Sequence, residues 1–394
     1  MIDIFISIGL FFAYFFANPL LYLGFAVIYW LSAQRVKQER EAFHTRVYGR
    51  VSDWVIPFVP ALLTGLGLSV ITVGLGIVLT LELILILSVL SILVVLTFQV
   101  RWMTPAFVLG ALLLFYGSEP LLGGVELFAP VYEELSAVPL FVIASLLALL
   151  VIAEGTLIRT NGVSYTSPKL VRSKRGKWIG LHETKRLWIV PIIFFVPEGM
   201  IPAASYWPIF PVGEGGWQPV LLPLLIGFQQ QVRATVPTIP MRTMGLRVMA
   251  LGILFAILAV GSYYVPFLAV VLGGLAIVSR ELLWVLAKAR DERQPAFFSS
   301  LPKGCIVLGI LPGSPADKMK IEVGEVITKV NGQAVNSEEG FYEALQLNSA
   351  FCKLDVLNTD GEVRFAQGAL YDGGHHQLGV LLVKDDVELQ NSII

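Results

Sequence analysis

Charge is what this chain has least of. Only 14% of its 394 residues are Asp, Glu, Lys or Arg, while 56% are hydrophobic. A soluble domain usually holds about 25% charged residues, so the deficit argues for membrane spans. Cysteine is as scarce. The two present, Cys305 and Cys352, each sit inside an apolar run, which suits reduced core thiols better than a disulfide framework. The four histidines exclude a zinc site of the intramembrane-protease kind. That site needs two His one helical turn apart and a nearby Glu. "HETKR" at His182 has Arg186 in the partner position, His44 stands alone, and His375-His376 are adjacent. No soluble stretch is long enough for a serine-protease domain of roughly 150–200 residues. A cleavable signal pattern is also missing: the apolar stretch starts at Ile4 without a basic leader and runs far past about 7–15 residues. No cofactor is expected, and no catalytic role.

The charge that is present is unevenly placed. From Ser300 onward there are 13 acidic and 7 basic residues, leaving 16 acidic and 21 basic before it. A basic, apolar part therefore precedes an acidic, soluble one. In the first part, residues 4–33 are uncharged and are expected to kink at Asn18-Pro19. Spans are expected at 54–78 and 83–100, joined by a turn at Thr80–Glu82, at 103–117, and from Leu135 to Ala153. Residues 187–211 are apolar but broken by prolines and by Glu198; 217–231 form a weaker segment. Val248 to Ser279 reads as a hairpin of two short spans turning at 261–266. The total is about seven to nine spans, with Glu82 and Glu154 at span ends.

Loop charges orient the spans. The loops 35–50, 154–186 (with "KLVRSKRGK") and 233–247 are basic, whereas 118–134 has four Glu and no Lys or Arg. Basic loops stay inside, which puts Arg280 and all that follows in the cytoplasm. "KLVRSKRGK" reads as an orientation signal and anionic-lipid contact rather than a nucleic-acid site. "RELLWVLAKARDERQ" (280–294) reads as a solvated helix carrying the last span into the linker.

The soluble part begins with a buried-type strand, "GCIVLGIL". Ser314 is placed to cap a short helix that starts at Pro315. "EVITKV" alternates as a strand should, Asn331-Gly332 turns a hairpin, and Asn336 with Glu339 fits a capping box for the next helix. "CKLDVLN", "EVRFAQG" and "LGVLLV" supply three more strands.

That order, with "PGSPADK…VGEVITKVNGQAVNSEEGFYEAL", resembles a bacterial PDZ domain over residues 303–385. Met319-Lys320-Ile321 stands where the family has Ala-Gly-Leu, so a left-handed Lys320 would cost about 1 kcal/mol. PDZ domains take an extended peptide as an added strand. The resemblance places the groove at Leu378, Gly379, Val380 and Leu381, walled by Phe341, Ala344 and Leu345, with no metal. The expected fold class is a polytopic α-helical membrane domain plus a small C-terminal α+β PDZ domain of circularly permuted bacterial type. Its parts are a multi-span domain over 1–280, a linker helix over 281–300 and the PDZ domain over 301–390.

Several spans, a cytoplasmic PDZ domain, no catalytic motif and the basic loop "RVKQEREAFHTRVYG" together resemble the MinJ family of Bacillus-type division-site topology proteins. The resemblance implies an adaptor that links a DivIVA-like polar scaffold to MinD, and through it to the division inhibitor MinC. It also implies contacts with other divisome membrane proteins and enrichment at septa and poles. Partners are then proteins and the lipid bilayer, not nucleic acid. Two other classes stay open: a noncatalytic regulator of a membrane protease, and a transporter subunit with a regulatory PDZ domain.

Overall fold

The computed structural model describes residues 2–126, 128–202, 206–209, 216–348, 350–370 and 378–384. The first part is helical. α1 (Ile2–Phe16) and α2 (Pro19–Phe43) meet at Asn18, whose side chain accepts from the Leu20 N–H while Pro19 occupies the first turn, so the expected break is present. α3 (Ser52–Leu75) and α4 (Leu81–Leu96) follow, α4 capped by Thr80. α5 (Pro105–Gly117), the short α6 (Glu119–Leu122) and α7 (Ala129–Ser136), and α8 (Leu140–Thr160) complete this run.

A three-stranded antiparallel sheet comes next: β1 (Ser167–Arg172), β2 (Trp178–Ile201) and β3 (Trp217–Val232), in the order β1-β2-β3. This corrects the reading of 187–211 and 217–231 as span-like segments; most of both is strand. α9 (Thr238–Tyr264) and α10 (Phe267–Arg293) then form the expected hairpin, but each helix has 27 residues and neither is short. Among the described residues, five helical segments are long and apolar enough to cross a membrane: Ile4–Phe43, α3, α8, α9 and α10. α4 and α5 are shorter apolar helices.

The hairpin β2–β3 lies among these helices. Paired residues run from His182↔Val232 to Pro197↔Trp217, about 50 Å at the usual strand rise. Trp188, Val190, Ile192 and Phe194 are fully buried. An open strand edge is costly next to hydrocarbon, because each unpaired N–H lacks water to bond. Two devices cover it. The outward N–H groups of Ile193 and Phe195 donate to Ser69 Oγ (3.0 Å) and Ile77 O (3.1 Å). Pro191 and Pro197 share their parity along the strand, and proline has no N–H to satisfy. β3 repeats the pattern: Gly227 N–H donates to Met103 O at 2.5 Å, and Pro219 and Pro223 occupy the same outward parity. The prolines that look like helix breakers in the sequence therefore sit on strand edges.

Pro223 is buried, so Pro223→Ala is expected to expose an edge N–H to an apolar wall and cost about 1–3 kcal/mol. Thermal unfolding of the detergent-solubilised chain measures this. An unchanged melting temperature would show that the proline does not serve the edge.

Glu154 is not at a water-facing span end. It lies inside α8, 0% exposed, and bonds Arg280 of α10, whose Nε and Nη2 both reach its Oε1 at 2.8 Å. α10 continues unbroken through the charged 281–293 stretch. There Arg101 pairs with Glu281 at 3.1 Å and lies over the Trp284 ring, while Asp291 bonds the N–H groups of Arg233 and Ala234. One face of the helix thus packs on its neighbours, while Leu282, Val285, Leu286, Lys288, Arg290, Glu292 and Arg293 are exposed, as a solvated face requires.

The second part contains β4 (Cys305–Ile310), α11 (Pro315–Lys318), β5 (Val326–Val330), β6 (Gln333–Ala334), α12 (Glu338–Gln346), β7 (Phe351–Leu357), β8 (Val363–Ala369) and β9 (Val380–Leu382). The sheet order is β8-β7-β5-β4-β9, with β6 paired to β5. Ser314 caps α11 as expected. Lys320 takes the left-handed conformation, φ 55°, where the family resemblance has Gly. The cap of α12 is Ser337, which accepts from Gly340 N–H, and not Asn336; the Asn336 side chain instead accepts from Gly304 N–H.

Candidate partner-binding site

The helix α12 places Phe341, Ala344 and Leu345 at i, i+3 and i+4, one face of the helix. All three are buried in the core of the β4–β9 unit. Leu378, Val380 and Leu382 enter the same core, while Leu381 turns to the opposite face beside Gly309 and Pro168. β9 is covered on both faces, which accounts for its unbroken apolar sequence. Gly379 has φ 85°, and a Cβ there would collide with the Ser314 side chain. Its carbonyl accepts from Leu311 N–H, and the Leu378 carbonyl from Ala316 N–H, so this loop is tied to the start of α11.

Among the described residues β9 pairs only with β4, which leaves it at the edge of the sheet. A cleft of about 230 Å³, mouth included, opens between Asn336, Ser337 and Glu338 at the start of α12 and Cys305, Ile306, Leu382 and Val383. None of the seven expected groove residues lines this cleft. The expected adjacent pair His375-His376 lies outside the described residues. Both cysteines are free and buried, and burial pushes the Cys352 thiol up to about 12. Among the described residues no three His, Cys, Asp or Glu side chains are grouped to hold a metal. Glu198 is exposed at a bulge within β2, near the strand's end, with φ 65°.

The sequence did not announce how this unit is held. It sits on the base of the long hairpin. Gly180 N–H donates to Phe298 O at 2.7 Å, and Ile179 bridges Ser299. A side chain at Gly180 would meet Phe298 Cβ at 2.9 Å, so the close approach needs glycine. His182, 1% exposed, spans the junction. A carbonyl can only accept, so its Nε2–H donates to Leu308 O (2.8 Å), and its Nδ1 accepts from the Thr166 hydroxyl (2.8 Å). Burial, opposed only partly by the backbone of Leu308 and of Thr166, holds its pKa down at about 4. Phe298, Ile306, Leu308 and Val383 form an apolar patch against Phe43, Leu170 and Trp178.

Beside this junction the expected basic loop proves to be the end of α2 and a folded turn. Arg35 bonds Glu39 and Asp53 at 2.8 Å each, and Glu39 also accepts from Ser167 and from Val47 N–H. Lys169 and Glu183 form a further pair. Basic segments from the first, second and third loops thus meet at the end of the helices that carries the β4–β9 unit.

Residues 306–353 match the family model for the PDZ domain. Over nearly the whole chain the sequence is similar to the cell division topological determinant MinJ of Bacillus subtilis (strain 168): 36% identity over 376 residues, 95% of this chain and 94% of that protein. It is also similar to probable cell division topological determinants MinJ of Lacticaseibacillus paracasei and Lacticaseibacillus casei (strain BD-II). Each is 28% identical over 247 residues, 62% of this chain and 66% of the relative. Those names describe the placing of division and not a catalysed reaction. With its apolar helices and its PDZ domain, this chain belongs to the MinJ family of cell division topological determinants.

Proposed function

We propose that the chain is a membrane-anchored adaptor of cell division. It links a DivIVA-like polar scaffold to MinD, and so to MinC, and restricts where septa form; other divisome membrane proteins are further partners. The observation that carries this reading is the kinship to a division topological determinant over 95% of the chain. Physical support comes from the placement of the PDZ domain. It packs on the end where the basic segments gather, and that end belongs in the cytoplasm by the distribution of Lys and Arg. The working units are a membrane domain to residue 280, a linker to 300 that is helical only as far as Arg293, where α10 ends, and the PDZ domain from 301. Tethering two weak binding surfaces to one membrane raises their effective concentration, so an adaptor needs no tight single contact.

Within the PDZ domain the partner peptide adds beside β9, using main-chain groups from Leu378 to Leu381. Phe341, Ala344 and Leu345 hold α12 in place as the opposite wall. Gly379 is the loop position at which the chain turns into that strand.

A fluorescent fusion tests the adaptor reading. It is expected to gather at septa and poles and to disperse when the polar scaffold is deleted. Uniform membrane fluorescence in normally dividing cells would contradict it.

A further inference from the structure

The turn between β1 and β2 carries Lys174, Arg175 and Lys177, all exposed. It faces the end of α10 and the strand end of the PDZ domain across a groove of about 1890 Å³, open mouth included. Arg293 and Lys384 complete its walls, and Trp178 lies in its lining. Arg233 also borders it but is paired with Asp291 at 3.9 Å. The other five cations have no ion pair among the described residues, and Glu292 is the one acid in the described lining. Five cations from three separate elements, facing a single acid among the described lining residues, repel one another and call for an anionic occupant.

Lipid head groups, the contact expected from the sequence for this basic run, are the weaker occupant on a ruler set by interfacial side chains. Tryptophan and basic side chains gather at head-group level, and on α10 Trp284 is stacked under Arg101 and beside Lys288. Arg293 is nine residues further along the same helix, about 14 Å at 1.5 Å per residue. α2 gives a second ruler. Phe43, which packs on the same apolar patch as Trp178, is eight residues beyond Arg35, about 12 Å. Both distances exceed the screening length of about 8 Å at physiological salt. Nucleic acid is disfavoured too, because a strand-binding groove stacks successive bases on several aromatic rings, and Trp178 is the lone ring in the described lining.

We propose that this groove, between the β1–β2 turn, the end of α10 and Lys384, holds an acidic segment of a partner protein. The surface lies outside the β9 edge and goes beyond the adaptor reading. Its test is made in solution, so it can fail or succeed whatever the fusion does in cells.

The full chain, purified in detergent, is titrated into a labelled peptide of about 12 residues with alternating Glu and Ser, and binding is followed by fluorescence anisotropy. Saturable, salt-sensitive binding is expected. The triple variant Lys174→Gln, Arg175→Gln, Lys177→Gln alters only exposed turn side chains and should weaken it about tenfold or more. The control Lys329→Gln, Lys353→Gln, exposed basic positions of β5 and β7 outside the groove lining, should stay within about twofold. No saturable binding, or equal loss in both variants, would overturn the proposal. So would tighter binding of an RNA oligonucleotide of the same charge or of anionic phospholipid vesicles. Asp385, Asp386 and Glu388 follow Lys384 in the sequence. Neutralising them to Asn, Asn and Gln should change the affinity less than about twofold. A tenfold gain would make the chain's own tail the occupant and overturn the proposal as well.

Discussion

Arg280→Ala is expected to cost the folded chain roughly 3–5 kcal/mol, the usual loss when one member of a buried ion pair is removed and the other stays. Both donors of Arg280 converge on one carboxylate oxygen of Glu154. The second oxygen, Oε2, is buried with no hydrogen-bond partner among the described residues. Glu154 therefore depends on Arg280 alone. Without it, a carboxyl group is stranded between α8 and α10 among apolar neighbours. Glu154→Leu together with Arg280→Met should recover most of the loss, because replacing both charges by apolar groups of similar bulk removes the desolvation cost as well as the attraction. Thermal unfolding in detergent distinguishes these outcomes. The single variant should melt about 5–10 °C lower, and the double variant close to the parent. A single variant as stable as the parent would show that the pair does not fasten α10. The consequence reaches beyond stability, since α10 is the helix that leads to the PDZ domain.

Lowering the pH from 7 to 4.5 is expected to loosen the PDZ domain from the hairpin base. His182 is neutral in the junction, with a pKa of about 4. Exposed by undocking, it returns to about 6.5. Between those values the undocked state binds the extra proton, so the docked state loses stability as the pH falls, and the loss levels off below about pH 4. The whole effect is on the order of 3 kcal/mol. The nearest carboxylate does not blur the window. Burial raises the Glu183 pKa, but Lys169 above all, with Lys185 and Gln231, outweighs this and keeps it below the ordinary carboxylate value. Hydrogen exchange of the β4 amides is the readout. Exchange should accelerate between pH 6.5 and 4.5, after correction for intrinsic rates, and His182→Gln should remove most of that change. Equal pH sensitivity in the variant would assign the effect to other groups.

The PDZ domain was legible because its signals are local. Ser314 before Pro315 starts a helix, Asn331-Gly332 turns a hairpin, and "CKLDVLN" alternates with a period of two. These features hold whatever lies nearby. The cap of α12 was displaced by one residue, since Asn336 and Ser337 are both good caps and the contact with Gly304 decided between them. The long hairpin was hidden for the opposite reason. A strand enclosed by helices on both faces is apolar at every position, and its periodicity does not separate it from a span. "WIVPIIFFVP" carried the available hints, β-branched and aromatic enrichment together with prolines at odd positions, 191 and 197. Glu154 was misplaced because its partner is 126 residues away, and a charge near the end of an apolar run looks the same whether it meets water or an arginine. The junction at His182 likewise depends on Phe298 and Leu308, which no local pattern connects to it.

The adaptor reading places this chain between a polar scaffold and MinD, and the position of MinD in living cells tests that claim most directly. The measurement is the fraction of a fluorescent MinD fusion found at septa and poles, in cells with and without this chain, at matched expression. The reading predicts that MinD leaves those sites and spreads along the membrane when the chain is absent, and returns when it is restored. MinD retained at septa and poles without the chain would contradict it.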